Sequence, residues 1–297
     1  MIVTSDTFNE ILTGFAQGAY RNPGTELDLN KLLFPAVQVD ELEGQYDKWG
    51  IAEHFTAVDT TLARHNTAHR IEISRTKGYF NCDPAALEIA HWKPTLLQKS
   101  GARFREESLK ALMDAQFTSR QVSAVDILRR GIAADPELGD LSNSPIEMID
   151  ALFDRVVKGT FGRKPTHLLM GRTAWNTIRN HEKVLSRTHA LAYAMFEDAF
   201  MSTLSYQGVK LVIADSYAII NDKLTELLEN DVVALYNEET PSLSDLSMGK
   251  EFTLSPAGPE VHTYQEKGIY DVDMLIWSSD RQITNSAAAA RFELKTA

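Results

Sequence analysis

The apolar positions of this chain change period several times, and each change marks an element. Phe8, Ile11, Leu12, Phe15 and Ala16 share one face of a helix, with Ser5 or Asp6 as N-cap. Gly18 weakens that helix and Arg21-Asn22-Pro23-Gly24 ends it. From Ala36 to Leu42 polar and apolar residues alternate as in a strand, and from His69 to Arg75 they alternate again, with Ile71 and Ile73 on one side. Between them Glu43 to Thr67 is mixed and polar, with Trp49, Ile51 and Phe55 scattered among charges. Two strands around a long tip predict an extended hairpin. Asp83-Pro84 then predicts a short helix that Pro94 interrupts.

The longest helical pattern runs from Ala102 to Arg130, a rod of about 40 Å. Its stripe is Leu109, Leu112, Met113, Phe117, Gln121, Ala124, Val125 and Leu128. Arg105 falls on the polar face, where truncation is expected to change stability by no more than about 0.5 kcal/mol. After an acidic loop, Ser144-Pro145-Ile146-Glu147 reads as a capping box with proline at the first helical position. That helix buries Ile146, Ile149, Phe153, Val156 and Val157.

The stretch from Lys164 to Asp215 predicts strand, helix, helix, strand. Leu168-Leu169-Met170 and Val209 to Ala214 are the strands, and Gly171 supplies the turn. Trp175 and Ile178 line the first helix, and Leu191, Met195, Phe196, Phe200 and Leu204 line the second. Later strands are expected at Asp231 to Tyr236, Val261 to Gln265, Tyr270 to Trp277 and Arg291 to Leu294. Along the third of these Tyr270, Val272, Met274 and Ile276 share one face, which leaves Asp271 and Asp273 on the other, expected to face solvent.

Composition narrows the function classes. With 30 Lys and Arg against 41 Asp and Glu, the chain carries a formal charge of −11. Affinity for duplex DNA comes largely from cations that displace counterions, so this is a poor general binder of nucleic acid. An acidic wall that repels DNA suits a DNA container; plain solubility explains the sign equally well. Cys82 is the single cysteine, which excludes an intrachain disulfide and fits a reducing compartment. The N-terminus lacks a basic region followed by a long apolar run, and no apolar stretch approaches the ~20 residues that cross a bilayer. There is no phosphate loop, nucleophile elbow, zinc-protease helix or dinucleotide fingerprint. His65 and His69 have the spacing of two ligands on one helical face, with Glu53-His54 nearby. But Arg64 and Arg70 flank them and oppose a cation, and Ile71/Ile73 place His69 at a strand start. No catalytic residue, cofactor or metal is expected.

Pro165, Leu168-Leu169-Met170-Gly171, Trp175, Ile178, His181 and Val184 together resemble a run in major capsid proteins of tailed bacteriophages, which share the Hong Kong 97-type fold also used by encapsulin shells. Gly208-Val209, the Asp231 strand, Pro241-Ser242-Leu243 and Met248 to Phe252 are similar to later segments of that family, in the same order. The resemblance covers the last half well and the first half by layout. It implies an α+β subunit with an N-terminal arm (1–35), an extended loop (36–82), a peripheral domain with a long spine helix (83–132 and 246–285) and an axial domain (133–245 and 286–297). It implies assembly contacts at Phe8, Leu12, Phe15, Trp49, Phe55, Arg64, Arg70 and Arg75, the three arginines facing acidic partners. For the first three residues a helix docked on its own domain is the equal alternative. An N-terminal scaffolding extension is expected to be absent, which implies a separate scaffolding protein beside portal and decoration proteins. Some members crosslink through a lysine of the extended loop; Lys48 and Lys77 match by position only. The implied function is self-assembly into pentamers and hexamers of an icosahedral shell around double-stranded DNA, in the virion and, during assembly, the host cytoplasm. A nanocompartment shell of the encapsulin kind and a metal-dependent enzyme using His65/His69 are the alternatives.

Overall fold

The computed structural model describes residues 4–21, 28–48, 76–97, 101–188, 196–206, 208–254 and 258–295. The chain passes back and forth between two compact units. The first comprises residues 1–44, 80–127 and 251–282, and the second residues 45–79, 128–250 and 283–297.

In the first unit a strand β1 (Thr4–Phe8) precedes helix α1 (Glu10–Arg21). Asn9, rather than Ser5 or Asp6, caps that helix: its Oδ1 accepts from the Leu12 N–H at 3.1 Å. Helix α2 (Leu29–Leu33) and strand β2 (Ala36–Gln38) follow. The hairpin β3 (Glu43–Lys48) and β4 (Thr76–Asn81) comes next, its residues 45–79 belonging to the second unit. Its bulky and small positions are reciprocal. The Phe80 ring lies over Gly44 and the Tyr46 ring over Gly78, so a Cβ at either glycine would collide with an aromatic ring. The returning strand is thus β4, while His69 to Arg75 lie outside the described residues.

The segment from Pro84 to Trp92 is a strand, β5, where a short helix was expected; only Lys93–Leu96 (α3) is helical. Its alternating side chains, Leu87, Ile89 and His91, carry the period of a sheet face, and pairing along β13 (Tyr270–Ile283) outweighs the local cap signal of Asp83-Pro84. With β11 (Gly249–Thr253) and β12 (Glu260–Glu266) these strands form a sheet in the order β1-β12-β13-β11-β2, with β5 also on β13. The β2–β11 pair is parallel.

Helix α4 (Gly101–Gly131) lies on this sheet through residue 127. Leu109, Leu112 and Met113 meet Val261 and Leu275 from the strands and Leu12 and Ala16 from α1. The sheet face that meets the helix is therefore the odd one of β13, Asp273, Leu275 and Trp277. That corrects the expectation that Asp273 is solvated: it is fully buried. Arg105 is corrected with it. Its guanidinium grips both Asp273 oxygens, and Thr263 Oγ1 donates to the same carboxylate at 2.9 Å. His91 Nε2 stands 3.4 Å away. Fifteen residues on, about 22 Å along the helix, Arg120 donates to Glu251 at 2.6 Å. Arg281 Nε (3.2 Å) and Asn30 Nδ2 (2.8 Å) complete the shell of that carboxylate. The helix stripe thus runs through half-buried Arg105 and buried Gln116 and Arg120 as well as the leucines, and Phe117 is only half-buried.

In the second unit the sheet order is β14-β10-β6-β7. The central strand β10 (Asp231–Leu235) is buried at every residue and antiparallel to both β14 (Ala289–Glu293) and β6 (His167–Gly171). Strand β7 (Lys210–Ala214) runs parallel to β6, and the crossover carries α6 (Arg172–Arg179), α7 (Glu182–Thr188) and α8 (Phe196–Ser202). This is the predicted strand-helix-helix-strand with its helical part divided. Helix α5 (Pro145–Gly159) packs Ile149, Phe153 and Val156 into the same core as Leu168, Met170, Trp175 and Phe200. Trp175 and Phe200 meet edge to face at 5.3 Å between ring centroids. Pro145 holds the first helical position as expected, but the Ser144 hydroxyl makes no cap bond, and Glu147 pairs with Arg187. At the end of α4, Arg129 and Arg291 both bind buried Asp231, which joins β10 and β14 through charge as well as through the ladder.

Arg105→Ala is expected to cost about 3–5 kcal/mol, because it leaves Asp273 buried without its cation. Leu112→Ala should cost a similar 2–5 kcal/mol through lost burial and a cavity. Arg103→Ala, in a fully solvated pair with Glu107, should fall within about 1 kcal/mol. Denaturant titration of unassembled protein separates the three; an Arg105 variant as stable as the Arg103 variant contradicts the buried pair.

Acid should weaken this unit in two steps. Burial lowers the His91 imidazole, with Arg105 pushing the same way and Asp273 opposing. Burial alone would raise Glu251, but Arg120 and Arg281 reverse this and hold its carboxyl low. Both groups bind protons more weakly folded than unfolded, so their contribution is complete above the unfolded pKa and is lost as pH falls. The loss begins near the ordinary 6.5 for His91 and near 4.5 for Glu251. Melting temperatures between pH 8 and pH 4 should fall in that order, and His91→Gln should flatten the part above pH 5. A wild-type chain that gains stability between pH 8 and pH 6 runs against this assignment.

Candidate functional site

Chemistry-bearing side chains in the described residues are engaged in structure. The Cys82 thiol is buried, donates to the Phe252 carbonyl at 3.3 Å, and is pushed up to about 11, chiefly by burial. A thiol so far from ionising is a poor nucleophile. Among the described residues no group of three His, Cys, Asp or Glu is placed to hold a metal. His65 and His69 lie outside the described residues.

A shallow pocket in the first unit is lined by Gln116, Arg120, Glu251, Thr253 and Trp277. Its one carboxylate already accepts from Arg120, Arg281 and Asn30 and is held ionised, so it is poorly suited to take up or release protons near neutrality. Lys250 is the other buried charge that stands out. Its ammonium lies 3.4 Å from Asp245 Oδ1 and donates to the Asp245 carbonyl at 3.3 Å, and burial lowers its pKa. Asp245 also accepts from the Ser242 and Ser247 N–H groups, and Asn237 Oδ1 from the Met248 N–H at 3.0 Å. These bonds shape the segment between β10 and β11, which the sequence predicts only as a long loop.

What the described residues offer instead is apolar surface. Helix α1 divides: Leu12 and Ala16 are buried in the unit's own core, while Ile11 and Phe15 remain exposed, as does Phe8, which ends β1 rather than lying on the expected helix. Phe8 meets His262 edge to face at 5.8 Å. Of the eight residues singled out for contacts, then, Leu12 is spent inside the subunit and Phe8 and Phe15 are available outside it. Trp49, Phe55, Arg64, Arg70 and Arg75 lie outside the described residues. Lys48 and Lys77 are exposed on β3 and β4. Further exposed apolar side chains that the sequence reading missed include Trp92, Leu97 and Ile269 in the first unit. They sit at element ends, where periodicity gives no signal of which side faces out.

Among the described residues no helix is long and apolar enough to cross a membrane. No curated protein matches the chain by sequence. Residues 125–245 match the family model of phage major capsid protein E. Among solved structures the chain is similar to a phage-related protein from Bordetella bronchiseptica RB50, with 17% identity, a TM-score of 0.73 and 98% of each chain covered. It is similar to the mature capsid of bacteriophage PhiM1 with 10% identity and a TM-score of 0.56, over 92% of this chain and 89% of that one. The holo-SrpI encapsulin complex from Synechococcus elongatus PCC 7942 gives 12% identity and a TM-score of 0.56, over 99% and 92%. At such identities these likenesses speak of the fold, and the matched segment speaks of the family. Residues 125–245 carry the sequence pattern of phage major capsid protein E, on a chain whose fold is that of the Hong Kong 97-type phage capsid subunits.

Proposed function

We propose that the chain is the major capsid protein of a tailed bacteriophage or prophage, a structural protein without catalysis. Copies associate as pentamers and hexamers of an icosahedral shell that encloses double-stranded DNA in the virion, after assembly in the host cytoplasm. The observation that carries this reading is the match of residues 125–245 to the phage major capsid model, which spans the core of the second unit. The fold alone leaves the encapsulin kind of shell as a second reading, since the SrpI likeness is as strong as that to PhiM1. The net charge of −11 suits either container.

Within this reading residues 83–132 and 246–285 form the peripheral domain with α4 as its spine, and residues 133–245 and 286–297 the axial domain; the breaks between the two units at residues 127, 250 and 282 lie near those bounds and support that division. Phe8 and Phe15 are proposed contacts to neighbouring copies, since both side chains are presented to solvent, Phe8 at the end of β1 and Phe15 on α1 beside the buried Leu12. Trp49, Phe55, Arg64, Arg70 and Arg75 are proposed contacts of the extended loop. A separate scaffolding protein, a portal and decoration proteins are its proposed further partners.

The purified chain should form closed shells visible by electron microscopy. Replacing residues 49–75 by a short Gly-Ser bridge should leave the β3–β4 base and subunit stability intact while abolishing those shells. Shells of normal size from the bridged chain would remove the loop from the assembly contacts. Wild-type protein that sediments only as a monomer at all concentrations would remove the capsid reading itself.

A further inference from the structure

After β7 the chain forms a small ribbon, strands β8 (Tyr217–Ile220) and β9 (Lys223–Glu226), which pair with each other as a separate two-stranded sheet. The sequence reading passed over it, since four-residue strands carry too short a period to register. Asn221 and Asp222 both have positive φ, at 51° and 61°, the conformation of a tight two-residue hairpin turn. The register is fixed: Ile219 pairs with Leu224 and Tyr217 with Glu226. Alternation then puts Tyr217, Ile219 and Leu224 on one face and Ala218 on the other. Ala218 is buried, and the root is tied down by Leu227 N–H to the Ser216 carbonyl at 2.9 Å and by Glu226 to the Thr173 hydroxyl at 2.6 Å.

The outer face is the anomaly. Ile219 is 75% exposed and Leu224, its direct cross-strand partner, 73%. Tyr217 adds to them at 46%, with its partner Glu226 on the same face at the root, while Ile220 lies on the other face with Ala218. A directly opposed Ile–Leu pair is an arrangement whose contribution comes from being covered, yet here it faces water. The turn holds it rigid and presented.

We propose that this ribbon docks against a second copy of the chain, apolar face inward; the inference rests on the shell reading above. Two observations favour a copy over another protein. The patch consists of three side chains, Tyr217, Ile219 and Leu224, far fewer than the roughly 20–30 residues a side of a stand-alone stable interface. It therefore works as one contact among several between the same two molecules, which neighbouring subunits of a shell provide. Its tip is also self-complementary in charge: exposed Asp222 and Lys223 are adjacent, so an adjoining copy's ribbon meets each with its opposite.

The test uses the full chain. Ile219→Asp with Leu224→Asp should lower the denaturation midpoint of the unassembled subunit only slightly, through repulsion of the two opposed carboxylates, since both native side chains are already largely in water. The same variant should reduce shell yield at least tenfold by sedimentation. A second variant, Ile219→Cys, should react with maleimide freely in dissociated subunits and at least tenfold more slowly in shells. Normal shells from the double Asp variant, or equal thiol reactivity in both states, overturn the ribbon contact and leave the capsid reading standing. Absence of any wild-type self-association overturns both. Shells from the double Asp variant that fail only to bind a different protein assign the face to that protein and overturn this proposal.

Discussion

Two buried carboxylates on the sheet of the first unit govern how its long helix is seated. Asp273 and Glu251 lie on β13 and β11, and neither can stay ionised in a dry interior without a cation close by. Each meets an arginine of α4, at positions 105 and 120, set about 22 Å apart along one helix face. Apolar contacts of Leu109, Leu112 and Met113 supply attraction but tolerate sliding, because one leucine resembles another. A one-turn slip would take Arg105 from Asp273 and Arg120 from Glu251, leaving Asp273 without its arginine and Glu251 with Arg281 as its one cation. The ion pairs thus act mainly on register, and the apolar stripe on stability. A subunit whose helix and sheet are locked in this way reaches its neighbours with its surface already formed.

That surface is where the proposed function resides. Nothing in the described residues points to turnover: the thiol is held protonated, the pocket carboxylate is fully hydrogen-bonded, and Lys250 is closed in against Asp245. What remains outside is apolar and presented on small, well-braced elements, the free face of α1 and the β8–β9 ribbon. Such surfaces are costly to a lone molecule and useful to one that is always surrounded by copies.

The elements legible in the sequence were those with long, uniform periods. The α4 span was readable from its spaced leucines, the β6 to β7 unit around Trp175 from its apolar periods, and the Asp231 strand from the unbroken apolar run that follows Asp231. The β5 strand was misread because Asp83-Pro84 is a strong local helix start, and only the pairing with β13 overrides it. Arg105 and Asp273 were assigned to solvent because charge at a single position signals exposure unless its partner is known. That partner lies 168 residues away, and no local pattern reports it. Of the contact residues, Phe8 and Phe15 were legible as part of an amphipathic stripe, but the stripe does not say that Leu12 serves the subunit itself. The ribbon went unseen because four-residue strands are too short to carry a readable period.

A double-mutant cycle on Arg120 and Glu251 bears most directly on the seating of the helix. Arg120→Met, Glu251→Gln and the double variant would be compared with wild type by denaturant titration of the unassembled chain. The account predicts that Arg120→Met alone is severely destabilising, since it strips a buried carboxylate of its shortest bond. The double variant should be far milder than the sum, with a coupling of roughly 2–3 kcal/mol. Strict additivity of the two single effects would mean that the pair does not act as a unit, and that the helix is seated by its apolar stripe alone.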